Sequence, residues 1–173
     1  MSLPRKLIGL FVIVLAFGIL FPLSFYAMSV NLDSLLGFPK FLPEPFNVFA
    51  GIFVLIIGMF WITWAYSYLH YVGKGSPVEV FGVALYPTER LVVTGPYAYT
   101  RNPMILGMLF VLLAIAFLAN SLSGLILLPI LAVLVLAYIK KFEEPGLLRR
   151  FGNDYVEYRK RVPVLLPGLR LAR

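Results

Sequence analysis

Four apolar runs decide what this chain can fold into: residues 7–28, 46–69, 104–119 and 122–139 contain no Lys, Arg, Asp or Glu. A helix of about twenty residues crosses a hydrocarbon core of roughly 30 Å. A chain that is 61% hydrophobic and 13% charged has too little polar surface for an ordinary soluble domain. The reading is an all-α integral membrane protein, one domain over residues 1–173 with about four transmembrane helices. The last two runs nearly touch, so Asn120, Ser121, Ser123 and Gly124 are expected to form the tight turn of a helical hairpin. Pro22 and Pro129 fall inside runs and predict kinks that neighbouring helices must satisfy.

Charge placement then gives an orientation. Arg5 and Lys6 precede a first run that is too long for a signal core and lacks a small-residue cleavage site, so it is expected to remain as a helix. An even number of spans puts both termini on one side. Of the 15 Lys and Arg residues only Lys40 then lies opposite, beside Asp33 and Glu44. The positive-inside rule makes the basic side cytoplasmic. The net charge of +7 is accounted for by this face and by anionic lipid headgroups, with no need for nucleic acid. No cysteine is present, which excludes disulfides, thiolate nucleophiles and thiolate-bound metals, and a single His70 excludes a His-rich metal site.

Two segments, 71–103 and 140–163, face the cytoplasm on this reading. The first is repeatedly broken by Gly and Pro but is rich in aromatic and β-branched residues, which predicts an ordered loop with a short extended piece at 91–93. In the second, Pro145 suits the first turn of a new helix with Leu147, Leu148 and Phe151 on one side, and Gly152 suits its end. Asn153 then caps a further helix with Tyr155, Tyr158 and Val162 on one face, stopped by Pro163. Arg149, Arg150, Arg159, Lys160 and Arg161 are expected to meet headgroups, making this an amphipathic cytoplasmic tail.

Arg101 can be a snorkelling anchor at the head of the third run, or the fixed cation of a binding site. Around it stand Gly95, Pro96, Tyr97, Tyr99, Asn102 and Pro103, an ordered turn with polar tips. Pro103 in a first helical turn is expected to leave backbone donors and a helix dipole free for a carboxylate or phosphate. Glu143 and Glu144 can be a solvated pair among basic neighbours, or two carboxylates holding a cationic group. Just past the end of a span they oppose its dipole. Tyr97, Tyr99, Tyr155, Tyr158 and His70 read mainly as interfacial residues. Gly73 and Gly75 fail the phosphate-loop pattern.

The stretch "GKGSP", then "LVVTGPYAYTRNPMILG", a hairpin, and "FEEPGLLRRFGNDYVEYRKRVPVLLP" resembles the isoprenylcysteine carboxyl methyltransferase and phospholipid methyltransferase family of membrane enzymes over roughly residues 71–167. The family pattern is Gly-Pro-Tyr, a spacer, Arg-His-Pro or Arg-Asn-Pro, a hairpin, Glu-Glu, Phe-Gly and two Tyr three residues apart. Ile105 departs from it, standing where the family often has Tyr.

What the resemblance implies is S-adenosylmethionine bound at the cytoplasmic face. Tyr97, Arg101 and Asn102 match the first motif, and Glu143 and Glu144 the second. Gly95, Pro96, Pro103 and Leu106 join them as expected cofactor contacts. Arg101 and Glu144 are the residues expected to carry catalysis. The cofactor's carboxylate, ammonium and adenine would be met by Arg101, by the Glu pair, and by the Val92, Val93 and Leu106 region.

The implied reaction is methyl transfer to a lipophilic or lipidated acceptor drawn from the membrane, with an isoprenylcysteine-like carboxylate put first and a phospholipid amine or lipophilic thiol as alternatives. An amine would need a base, for which Glu143 or Glu144 is nearest. Readings of another class are an NADPH-dependent membrane reductase and a non-enzymatic membrane scaffold. Oligomeric state is open, since no span carries a clear GxxxG face.

Overall fold

The computed structural model describes residues 14–75, 79–80, 83–84 and 88–167. Arg5, Lys6, the start of the first run at 7–13 and the basic residues Arg170 and Arg173 lie outside the described residues. In chain order come a π-helical stretch Val14–Leu20 leading into α1 (Phe21–Leu36), α2 (Phe46–Tyr71), the two-residue strands β1 (Glu79–Val80) and β2 (Val83–Ala84), a 3-10 turn Gly95–Ala98, α3 (Pro103–Ala119) and α4 (Leu122–Tyr138). A π-helical turn Ile139–Glu143 then joins α4 to α5 (Glu144–Arg161).

Among the described residues, three helices are long and apolar enough to cross a membrane, Leu15–Leu36, Phe46–Tyr71 and Leu122–Arg161, and Pro103–Ala119 is a shorter apolar helix. The protein is an integral membrane protein. Phe49, Phe53, Ile56, Val133 and Leu134 are each 60% or more exposed, an outward apolar surface that belongs in lipid.

The first helix corrects the expected span. The apolar run ends near Met28, yet the helix continues to Leu36. The Ser29 hydroxyl and the Asn31 amide donate back to the carbonyls of Phe25 and Ala27, both at 2.7 Å, so these polar side chains are satisfied within the helix itself. The end comes at Gly37, whose left-handed φ of 66° lets its N–H and that of Phe38 return to the Asp33 carbonyl.

The chain divides into two compact units, Met1–Ile57 with Leu109–Leu131, and Gly58–Met108 with Ala132–Arg173. In the first, Phe25, Leu112 and Ala116 form a core with Phe21, Ile115 and Leu125 packed on it. The hairpin turn is tighter than expected, because Ser123 and Gly124 already belong to α4. Asn120 takes the left-handed conformation at φ 53°. Its amide oxygen accepts from the N–H groups of Phe41 and Leu42 at 3.1 and 3.0 Å, and its amide nitrogen donates to the Leu42 carbonyl at 2.6 Å. The Ser121 hydroxyl accepts from the Gly124 N–H at 3.0 Å and the Asp33 carboxylate from the Ser123 N–H at 2.8 Å, together capping α4. Lys40 pairs with Glu44 at 3.4 Å, but both side chains are 70% exposed, so the pair adds little.

In the second unit, Ala65, Val92 and Tyr97 form one cluster with Tyr68, Leu69 and Met104, and Tyr155, Tyr158 and Val162 form another with Leu91, Leu147 and Phe151. Strand pairing among the described residues joins Glu79–Val80 to Val83–Ala84, with Glu79 opposite Ala84. In the 91–93 stretch Val92 is buried against the first cluster while Val93 is 37% exposed.

The tail needs a second correction. No break falls before Pro145: α4 continues through the π turn into α5, and the interruption comes at Gly152, as expected. Pro145 has no N–H and its ring would strike the carbonyl four residues back; the chain widens into a π turn in which the Glu144 N–H reaches the Ile139 carbonyl, five residues back. Pro22, likewise, sits in the first turn of α1 directly after a π-helical stretch. Glu144 is therefore in the first turn of α5, where the local dipole does not oppose a carboxylate. Gly152 does interrupt helical geometry, at φ 53° and ψ −128°, a conformation closed to side chains with a Cβ. Val162 is extended and Pro163 follows, ending the helix as expected.

Candidate functional site

The site is built in the second unit, from the turn before α3 and the helix after α4. Gly95 has φ 60°, and a Cβ there would lie 2.4 Å from the Tyr68 ring, so only glycine lets the chain enter the 3-10 turn. That turn buries Pro96 and Tyr97 and delivers Thr100, Arg101 and Asn102 to the start of α3. Pro103 is buried at the first position of that helix.

The backbone donors expected to be free here are largely in use. The Arg101 N–H bonds the Pro163 carbonyl at 2.9 Å and the Asn102 N–H bonds the Thr100 hydroxyl at 3.3 Å. The Asn102 amide donates to the Val164 carbonyl at 2.8 Å and the Thr100 hydroxyl to the same oxygen at 3.4 Å. The turn therefore clamps the chain just beyond α5.

Side chains then meet across it. Arg101 Nη1 donates to Glu144 Oε1 at 2.5 Å and to the Tyr155 hydroxyl at 3.2 Å. Both members of the ion pair are only 10% exposed. Arg159, 45% exposed, reaches the other Glu144 oxygen at 3.4 Å. The Nε of Arg101 is buried with no hydrogen-bond partner among the described residues. Nearby, the Tyr158 hydroxyl donates to the Tyr97 carbonyl at 2.7 Å, and Arg150 donates to the carbonyl and hydroxyl of Thr88 at 2.8 and 3.2 Å. Burial, and then the neighbouring Tyr158, push the Tyr97 phenol well above its ordinary range. Burial and the Glu144 charge raise Tyr155, with Arg101 and Arg159 offsetting part of that.

These groups border a small, partly open cavity of about 70 Å³. Thr88, Arg101, Asn102 and Tyr155 supply polar tips to it, while Leu69, Leu91, Val92, Ile139, Leu147 and Phe151 supply apolar wall, with Tyr97 and Tyr158 completing the lining.

Of the residues expected at a site, Tyr97, Arg101 and Asn102 line this cavity. Gly95, Pro96 and Pro103 shape the turn without lining it, and buried Leu106 stays out of the wall. Val92 lines the cavity but Val93, 37% exposed, does not. Glu144 stands behind the cavity, acting on Arg101, and half-buried Glu143 lies in the π turn. His70 is exposed and stacks on Tyr66, and Tyr99 packs on Trp64.

Tyr155 and Tyr158, assigned to the interface, are buried in the wall, and Arg150 and Arg159 turn to Thr88 and Glu144 rather than only to headgroups. Their signal in the sequence is the Tyr pair three residues apart beside the basic cluster.

A family model described as phospholipid methyltransferase matches residues 46–154, more than half of the chain and all the helices that build this site up to Asp154. The chain belongs to the phospholipid methyltransferase family. It is also similar, at 30% identity over 163 residues, to methanethiol S-methyltransferase 2 of Bradyrhizobium diazoefficiens, the match covering 84% of this chain and 60% of that protein. The chain thus spans about 60% of the length of this curated relative.

Proposed function

We propose that this protein transfers a methyl group from S-adenosylmethionine to a lipophilic acceptor at the cytoplasmic face of the membrane. The observation that carries the reading is Arg101: nine-tenths buried, on the wall of a cavity, with an Nε that has no partner among the described residues. A buried donor left unpaired costs about 1–3 kcal/mol or more when charged, so a site with one is made for a ligand that brings an acceptor. Arg101 would hold the donor's carboxylate and the Leu69, Leu91 and Val92 wall its adenine, with Glu144 behind the cavity as the counter-charge of Arg101. The sulfonium of the bound donor makes its methyl group electrophilic. What the chain supplies is alignment of the acceptor and exclusion of water.

The acceptor we favour reacts as an anion. No carboxylate lines the cavity among the described residues, which counts against an amine that must lose its proton within the site. A lipophilic thiol comes ahead of an isoprenylcysteine-like carboxylate because the relative is named for a thiol; it would react as the thiolate, its proton having passed to water before entry. The basic residues around the site support its cytoplasmic placement.

The test is calorimetric titration of the detergent-purified protein with S-adenosylmethionine and, separately, NADPH. Methyl transfer from a labelled donor to an alkanethiol, a farnesylcysteine and phosphatidylethanolamine is then compared. Saturable binding of S-adenosylmethionine alone, with label entering the thiol, is the expected result. Binding of NADPH alone, or of neither by folded protein, overturns the reading in favour of a reductase or a scaffold.

A further inference from the structure

We infer that Tyr155 is a second hydrogen-bond donor, beside Arg101, to the carboxylate of the methyl donor; the inference rests on the function proposed above. Tyr155 is 2% exposed and lines the cavity. Arginine can only donate, so in the 3.2 Å contact with Arg101 Nη1 the phenol oxygen is the acceptor and its proton remains uncommitted. Among the described residues no acceptor takes that proton. Tyr158 differs, because its proton is held by the Tyr97 carbonyl at 2.7 Å. Of the two adjacent phenols on the wall, only Tyr155 has a proton to offer a ligand.

The complementary observation is Arg101 Nε, also buried and also without an acceptor. Two uncommitted donors, one charged, on side chains already bonded to each other, match a single ligand group with two acceptor oxygens. Glu144 does not fill that role: it takes Arg101 Nη1 and Arg159, and neither the Tyr155 hydroxyl nor Arg101 Nε donates to it. Burial keeps the Tyr155 hydroxyl protonated at neutral pH, so the donor is present under working conditions. A carboxylate could come from the methyl donor or from a carboxylate acceptor; we take it as the methyl donor's because the function proposed above gives that end to Arg101.

The experiment is a binding cycle on the full chain in detergent, using S-adenosylmethionine and its decarboxylated analogue against wild type and Tyr155→Phe. Wild type should bind the decarboxylated analogue more weakly. Tyr155→Phe should bind S-adenosylmethionine about tenfold more weakly than wild type, as expected for a lost hydrogen bond to a charged group. The variant should keep its affinity for the decarboxylated analogue, which also shows that it is folded. Equal losses for both ligands, or no loss for either, overturn the inference while leaving the proposed function standing. Failure of wild type to bind S-adenosylmethionine at all overturns both.

Discussion

Glu144→Gln isolates what the buried ion pair contributes. Both side chains are 10% exposed and 2.5 Å apart, so the substitution leaves the Arg101 guanidinium buried without a counter-charge. Breaking such a pair from one side costs about 3–5 kcal/mol. Arg159, 45% exposed and at 3.4 Å, adds no more than about 1 kcal/mol. Glutamine retains an oxygen for Arg101 to bond, which sets the expectation near 3 kcal/mol, at the low end of that range. For a chain of this size that corresponds to a fall of about 6–12 °C in the melting midpoint, read by circular dichroism in detergent. Replacing both partners together, Arg101→Met with Glu144→Leu, should recover all but about 1 kcal/mol, because two apolar groups leave no charge stranded. The double variant should nevertheless bind no S-adenosylmethionine. A single variant that melts within about 2 °C of wild type would refute the reasoning, since the pair would then behave as a solvated one.

Asn120→Ala removes an acceptor for two backbone N–H groups and a donor for one carbonyl, and places alanine at φ 53°. A loss of about 2–4 kcal/mol is expected in thermal unfolding, and Asn120→Gly should recover only the backbone part, about 1 kcal/mol. The Tyr97 phenol is held protonated by burial in the folded state. Because its folded pKa is raised, its contribution is complete below the ordinary phenol value of about 10 and declines as pH rises beyond it. Melting midpoints across alkaline pH should therefore fall less steeply for Tyr97→Phe than for wild type, and parallel curves would contradict the assignment.

Uncharged apolar runs determine where helices lie in a membrane, so α2, α3 and α4 were readable from residue order. The first helix outruns its apolar stretch, continuing past Ser29 and Asn31, whose side chains bond back to their own helix. Arg101 and the Glu pair stood out because charge beside an apolar run is conspicuous. Which Glu meets Arg101 was not legible: it depends on the π turn before Pro145, which rotates Glu144 relative to an unbroken helix count. Tyr155 and Tyr158 were placed at the interface because an aromatic residue near a span end looks the same in sequence whether its hydroxyl meets water or, as here, Arg101 and the Tyr97 carbonyl.

The clamp between the Arg-Asn turn and the chain beyond α5 also fixes an order of events during synthesis. Arg101 and Asn102 emerge from the ribosome with α3, but the carbonyls they hold, Pro163 and Val164, follow 62 residues later. The guanidinium's carboxylate, Glu144, is made 43 residues after it and the strap 19 residues later still. The cavity, whose wall includes Phe151, Tyr155 and Tyr158, can therefore be completed only once the chain beyond α4 has been made.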